Sequence, residues 1–293
     1  MPLHSPKRKG HPMFRFTAWT STLALLAAPV MADGHASTMG YALSGDSTSL
    51  MVMDSIATPD QVRSITLSTP VRSIAWRPVT RELVGFADGM IVTINPMTGE
   101  TMDQSATFTD DAIIADGSVV AFDFNNKIDA VRAVGSTGEN LVYFPSDFGD
   151  KRANSVRRFT DLFYAKGDMS EGVEPLIFAN AYTNAINGAK AGGTFQYALD
   201  ARANALVSLA NNAGTLESIG LITIGGEPAD VLPVGGFDIV SPEEGADAAY
   251  AVLQIDGQDT AGLYAIDVTS GAATLLADLG TSDVSSFAVS TGM

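Results

Sequence analysis

The chain has 293 residues, 46% of them hydrophobic and 17% charged, with no cysteine and with 33 acidic against 17 basic side chains. The three histidines are His4, His11 and His35, so everything after His35 lacks both imidazole and thiol. Disulfide staples, Ser-His-Asp and Cys-His catalysis, and nearly all zinc, copper and haem ligation are thereby excluded for the body of the chain. Carboxylate, Lys, Tyr or Ser chemistry remains, together with oxygen-ligated ions such as calcium.

The N-terminus reads as a leader. Lys7, Arg8, Lys9 and Arg15 form a basic opening, Leu23 to Val30 an apolar centre, and Val30-Met31-Ala32 the small or apolar residues that a signal peptidase reads. Residues 1–32 are expected to be a signal peptide, with Met13 as a second candidate start, followed by a linker at 33–38 and one domain at 39–293. The apolar run is shorter than the ~20 residues that cross a bilayer. The expectation is export to the periplasm or exterior, with no membrane span in the mature chain. Without the leader's four cations the net charge is 13 − 33 = −20. Such a surface repels phosphate backbones and anionic lipids, which argues against nucleic acid as a partner.

From Met39 onward the chain is a succession of short apolar or alternating runs bounded by Gly, Pro, Asn, Asp or Ser, which is the strand signal. Strands are expected at Thr38 to Leu43, Leu50 to Asp54, Val62 to Leu67, Ile74 to Trp76, Glu82 to Ala87, Met90 to Asn95 and Glu100 to Phe108. Asp88-Gly89 favours a tight hairpin because glycine accepts positive φ, and Asn95 to Glu100 closes the next one. Val119 to Phe144 then holds three β-rich runs separated by turn residues. Val156 to Leu162 suits an outer strand or a short helix. Further runs follow at Pro175 to Thr183, Gly193 to Leu199, Ala205 to Leu209, Leu216 to Ile222, Gly236 to Val240, Ala248 to Ile255, Gly262 to Asp267 and Ala272 to Leu279. Ser285 to Val289 ends the series without partners of its own.

Phe122-Asp123-Phe124 returns as Phe237-Asp238-Ile239, with a looser echo at Ile74-Ala75-Trp76. Candidate inner strands near residues 75, 122, 179, 237 and 287 recur with a period of roughly fifty, the mark of a propeller or solenoid. The last lacks followers and the three N-terminal strands lack an inner strand. Joining them predicts an all-β propeller of five four-stranded blades, the fifth closed by both ends of the chain. A shift of register makes six blades, and two packed sandwiches are a weaker alternative.

The stretch Phe122 to Asn125, Asp129, Arg132-Ala133-Val134 and Thr137 to Leu141, with Gly167-Asp168, Pro175 and Ala181 to Asn184, resembles the bacterial family named domain of unknown function 4394. The resemblance spans Tyr41 to Val289 and implies a secreted, propeller-like protein without an established activity. Asn126, Ala130 and Val142 depart from the family's usual proline, arginine and arginine. Arg132 is left as the one cation of a cluster around Asp129.

Asp123, Asn125, Asp129, Arg132 and Asn140 form the densest polar set on expected strands and turns. Two readings compete: a ligand site on a blade rim, with Arg132 holding a carboxylate-bearing or hydroxyl-rich ligand, or mutual pairing of Asp129 with Arg132 and capping of backbone donors by the rest. Asp123 and Asp238 occupy equivalent inner-strand positions, where paired carboxylates could serve a cation or a glycosidic bond. Trp76-Arg77 and Phe287-Ala288 break that ring of acids. Tyr182 could stack on a sugar, with Asn184 beside it, although aromatic residues on inner strands are commonly core. The acidic loops at Asp110-Asp111, Asp116 and Asp256 to Asp259 lack the spacing of a calcium loop and read as solvated turns. Gly192-Gly193 and Gly225-Gly226 read as hairpin turns.

The function expected from the sequence is therefore an exported, non-catalytic propeller that binds a protein or carbohydrate, as a monomer, without cofactor or metal. A carboxylate-based glycosidase or lyase, and a calcium-stabilised envelope protein, are the alternatives.

Overall fold

Runs of β-branched and aromatic residues stopped by turn formers can only make short strands, and the longest here has 10 residues. In a computed structural model of the chain, which describes residues 1–2 and 38–291, these strands assemble into five sheets around one axis. Each sheet is a blade whose innermost strand lies beside the axis. The inner strands are Ser73–Arg77, Val120–Asn125, Ile177–Tyr182, Val231–Val240 and Ser286–Ser290, for blades one to five. The five positions expected to mark inner strands, 75, 122, 179, 237 and 287, all fall within them. Every one is buried over the part that faces the axis, whereas an outer strand such as Val62–Thr66 alternates between exposed and half-buried.

The fifth blade is built from both ends of the domain. Ser286–Ser290 pairs antiparallel with Met39–Leu43 in the register Tyr41↔Ala288, and Ser49–Met53 and Val62–Thr66 complete the sheet. The ring thus closes with five blades, and the six-bladed alternative falls. Four strands per blade holds for the first and fifth. The other three carry added edge strands, because the segment arriving from the preceding blade first runs parallel to the outer strand. Thr107–Phe108 beside Ser155–Arg158, Phe163–Tyr164 beside Thr215–Leu221, and Thr223–Ile224 beside Ala272–Asp278 are these additions. The run expected as one strand from Glu100 to Phe108 is accordingly split between two blades, at Ser105 with φ 52°. The segment from Val156 is a strand, Ser155–Arg158, not a helix.

Apolar side chains of adjacent blades meet face to face, so each of the five interfaces has its own core. Phe86, Phe122 and Phe124 lie between blades one and two, and Val134, Tyr164 and Val207 between two and three. Phe178, Leu199 and Tyr264 fill the next interface, Phe287, Tyr250 and Met53 the fourth, and Tyr41, Ile74 and Trp76 the last. Tyr41 and Trp76 stack at 5.7 Å between ring centroids. Near the axis the strands approach so closely that a Cβ on Gly236 would meet the Phe287 nitrogen at 2.3 Å. Only glycine permits that contact.

Apart from Met1, Pro2 and Thr38, the expected signal peptide and linker lie outside the described residues. Among the described residues no helix is long and apolar enough to cross a membrane, and the one helical turn is Asn211–Ala213.

Candidate functional site

Inner strands pair on one side only, so their other edge presents unpaired N–H and C=O groups to the axis. Side chains from the preceding blade cap some of these donors. Asp123 Oδ2 accepts the Tyr182 N–H at 2.6 Å, Asp238 Oδ2 the Val289 N–H at 2.7 Å, and Ser286 Oγ the Ile74 N–H at 3.1 Å. The echo between Asp123 and Asp238 thus places two carboxyl groups at the buried axis, each residue 4% exposed. Burial pushes Asp238 up to about 7, against the bonds from the Val289 and Ile239 amides. Burial, then repulsion from Asp238, pushes Asp123 well above the usual carboxylate range. Two like charges in one low-dielectric space resist simultaneous ionisation.

The remaining residues singled out from the sequence divide into two groups. Arg132, Asn140 and Tyr182 come together between blades two and three. Arg132 donates to the Tyr182 hydroxyl at 2.8 Å, to Asn212 Oδ1 at 2.8 Å and to Asn140 Oδ1. Asn140 in turn donates to the carbonyls of Thr160 and Asn211, at 2.9 and 3.0 Å. Asp129 does not join them. It sits in a turn with φ 59°, and its carboxylate takes both Nε and Nη2 of Arg77, at 2.8 and 2.6 Å, from the first blade. In the sequence Arg77 marks only a place where an acid is missing, and its partner lies fifty-two positions away.

Asn125 and Asn184 belong to the end of the axis where the inner strands finish. There the loop 183–195 leaves blade three and reaches every other blade. The Trp76 indole donates to Asn187 Oδ1 at 2.9 Å, the Gly188 N–H to Pro78 O at 2.8 Å, and Asn126 Nδ2 to Asn184 O at 2.7 Å. Ala185 N–H donates to Ser241 Oγ at 3.0 Å, and Asn187 Nδ2 to Thr291 Oγ1 at 2.6 Å. Thr194 ties back to Asn125 Oδ1 at 3.0 Å, and Asn184 Oδ1 accepts the Gly245 N–H at 2.7 Å. A loop that meets the ends of all four other inner strands must cross the axis, so this end is sealed. Gly192-Gly193, expected in a hairpin turn, lies in this crossing loop, whereas Gly225-Gly226 does make a tight turn.

The opposite end, where the inner strands begin, is open. A well of about 610 Å³ is lined by the residues just before or at the start of inner strands, among them Arg72, Val119, Pro233, Val234 and Ser285. Asp88, Asp116 and Asp283 also line it, so its charge is 1 − 3 = −2. Arg72 is held by its acceptors: Nη1 lies 3.1 Å from Asp88, and Nη2 donates to Ala115 O at 2.9 Å and Ser118 O at 2.6 Å. Asp283 Oδ1 accepts the Gly45 N–H at 2.9 Å. Below Val119, Val234 and Ser285 the axis narrows to a cavity of about 10 Å³, lined by inner-strand residues of all five blades, among them Ser73, Ala121, Asn180, Gly236 and Ser286. Beside the well, a groove of about 400 Å³ between blades one and two shares Arg72, Asp88 and Asp116 and adds Phe86, Phe108 and Ile113. None of Arg72, Asp88 and Asp283 stands out in the sequence. Their position immediately before an inner strand, or in the hairpin after it, becomes a signal only once the phase of the repeat is known.

These features define a five-bladed propeller with a blind axial well. The chain belongs to the family described as Domain of unknown function (DUF4394), which its residues 47–288 match. Among curated proteins none matches the sequence. Of solved structures, the chain is similar to an auxiliary nutrient binding protein from Bacteroides ovatus ATCC 8483, at 12% identity and a TM-score of 0.42, over 72% of this chain and 52% of that one. It is similar to apo AztD from Citrobacter koseri at 11% identity and a TM-score of 0.36, over 83% and 60% of the two chains. A Lactobacillus plantarum protein shares 12% identity with a TM-score of 0.38, over 86% of this chain and 98% of that one. The chain therefore spans between half and two thirds of the length of the first two.

Proposed function

We propose that the protein is an exported, non-catalytic binding protein and that its ligand, a neutral carbohydrate, sits in the axial well. The observation that carries this reading is a well of about 610 Å³ on an axis sealed at its other end. That volume suits a small-molecule site, which typically measures ~300–1,000 Å³. An anion is disfavoured by the lining charge of −2, and Arg72 already has three acceptors. A hydroxyl-rich ligand matches the carboxylates of Asp88, Asp116 and Asp283 as acceptors, the hydroxyls of Ser47, Ser118 and Ser282, and the apolar wall of Val119, Pro233 and Val234. Export rests on the leader pattern of residues 1–32.

In this reading Arg132, Asn140 and Tyr182 hold blade two against blade three, and Asn125, Asp129 and Asn184 hold the sealed end. None of them touches the ligand. Hydrolysis by Asp123 and Asp238 finds no support, because a sugar would have to pass the constriction of about 10 Å³ to reach them.

The test is a thermal-shift scan against neutral glycans, small acids and divalent ions. A ligand at 100 times its Kd adds about 2.7 kcal/mol of stability. The expected result is a shift from one class of neutral sugar, none from small acids, and loss of the sugar shift in Ser118→Trp, which fills the well. A sugar shift that survives Ser118→Trp, or shifts from acids alone, sinks the proposal.

A further inference from the structure

One buried side chain at the axis is unexplained by the well. Asn180 lies on the inner strand of blade three, 1% exposed, and neither its Nδ2 nor its Oδ1 has a hydrogen-bond partner. Buried amides are almost always paired, so such a group points to a guest that completes it. Asn180 lines the axial cavity of about 10 Å³, which has room for a single atom-sized guest.

Oxygen donors lie at and beside this cavity. Phe122 and Phe237 line it, and Asp123 and Asp238 are the next residues on their strands. Both carboxylates bend over the inner edge of their sheets. Asp123 reaches the N–H of Tyr182, two residues from Asn180, and Asp238 reaches the N–H groups of Ile239 and Val289. Because Tyr182 and Ile239 turn their N–H groups to the axis, the two-residue period of a strand turns the carbonyls of Asn180 and Phe237 the same way. Among the described residues neither carboxylate comes within ion-pair distance of a Lys or Arg.

We propose that the axis binds one calcium ion, coordinated by Asp123, Asp238, Asn180 Oδ1 and axial backbone carbonyls. The charges of two carboxylates equal that of one divalent cation. A mixed set of carboxylate, amide and carbonyl oxygens suits calcium, which accepts irregular coordination by six to eight oxygens. Zinc prefers the nitrogen and sulfur ligands that the body of this chain lacks. No three His, Cys, Asp or Glu side chains converge among the described residues, so the ion depends on the amide and the carbonyls as much as on the acids.

The test is calorimetric titration of the full chain with calcium chloride after EDTA treatment and dialysis, with magnesium and zinc chlorides as controls. The expected result is one calcium site per chain, with the double variant Asp123→Asn/Asp238→Asn at least 100-fold weaker. Asn180→Leu, which fills the cavity and removes the amide oxygen, is expected to be at least tenfold weaker and serves if the double variant does not fold. The loop variants Asp110→Asn/Asp111→Asn and Asp256→Asn/Asp259→Asn are expected to bind as the parent does. Absence of calcium binding by the parent, equal or tighter binding of magnesium or zinc, unchanged binding by the axial variants, or loss of binding in the loop variants overturns the proposal.

Discussion

The two ends of the propeller axis are made from the same five inner strands and have opposite characters. Where the strands finish, the loop 183–195 binds the blades across the axis, and the Arg77–Asp129 pair ties blade one to its neighbour, blade two. Where they begin, Arg72 and three aspartates surround a well. A ring of radial sheets leaves unpaired edges at its centre whichever way it faces. What differs is where a connection goes: the loop 183–195 crosses to the other blades, whereas the segment 165–176, of similar length, stays on its own blade through the Leu176–Asp200 and Asp168–Ser218 bonds. One long loop makes one end structural and frees the other for a ligand.

Breaking the sealed end should cost most. Arg77→Ala leaves Asp129, 6% exposed, without its buried partner, and should destabilise by about 3–5 kcal/mol, read as a lower denaturant midpoint at constant slope. A midpoint within error of the parent's would show that the pair does not hold the blades. The buried stretch between the ends should respond to pH. Asp238, raised to about 7, contributes stability that is fully present below the unfolded carboxylate pKa and is lost as pH rises through 7. In EDTA, stability should therefore fall between pH 5 and pH 8 by an amount on the order of 2 kcal/mol, read as a falling Tm, and Asp238→Asn should flatten the curve. A parent curve already flat in EDTA would remove the axial acid from the account.

Smaller effects sharpen the contrast. Asn126→Ala removes the donor shared by the Asn184 and Ala189 carbonyls, for about 2 kcal/mol. Arg72→Ala at the open end removes an ion pair to an Asp88 side chain that is 76% exposed, for about 1 kcal/mol or less. Its larger consequence should be a loosened well and a reduced sugar shift. If Arg72→Ala destabilised as much as Arg77→Ala, the two ends would not differ in kind.

Much of the ring is legible in the amino-acid sequence alone. The fifty-residue period, the alternation of apolar and polar residues and the Asp-Gly and Asn-Pro turns are local properties, and each strand's identity depends on little beyond its own residues. Even closure by both termini follows from one unpartnered strand at Ser285 to Val289 and three without an inner strand. The choice of partners is not legible. Asp129 pairs with Arg77 rather than the nearby Arg132, loop 183–195 crosses the axis, and Arg72 meets Asp116 and Asp283 at one well, because closing the ring brings together strand ends far apart in the chain. Periodicity determines which residues form an inner strand and which face they bury. Only the closed ring determines which side chains meet across its centre, since burial there leaves each polar group to whichever distant partner the geometry supplies.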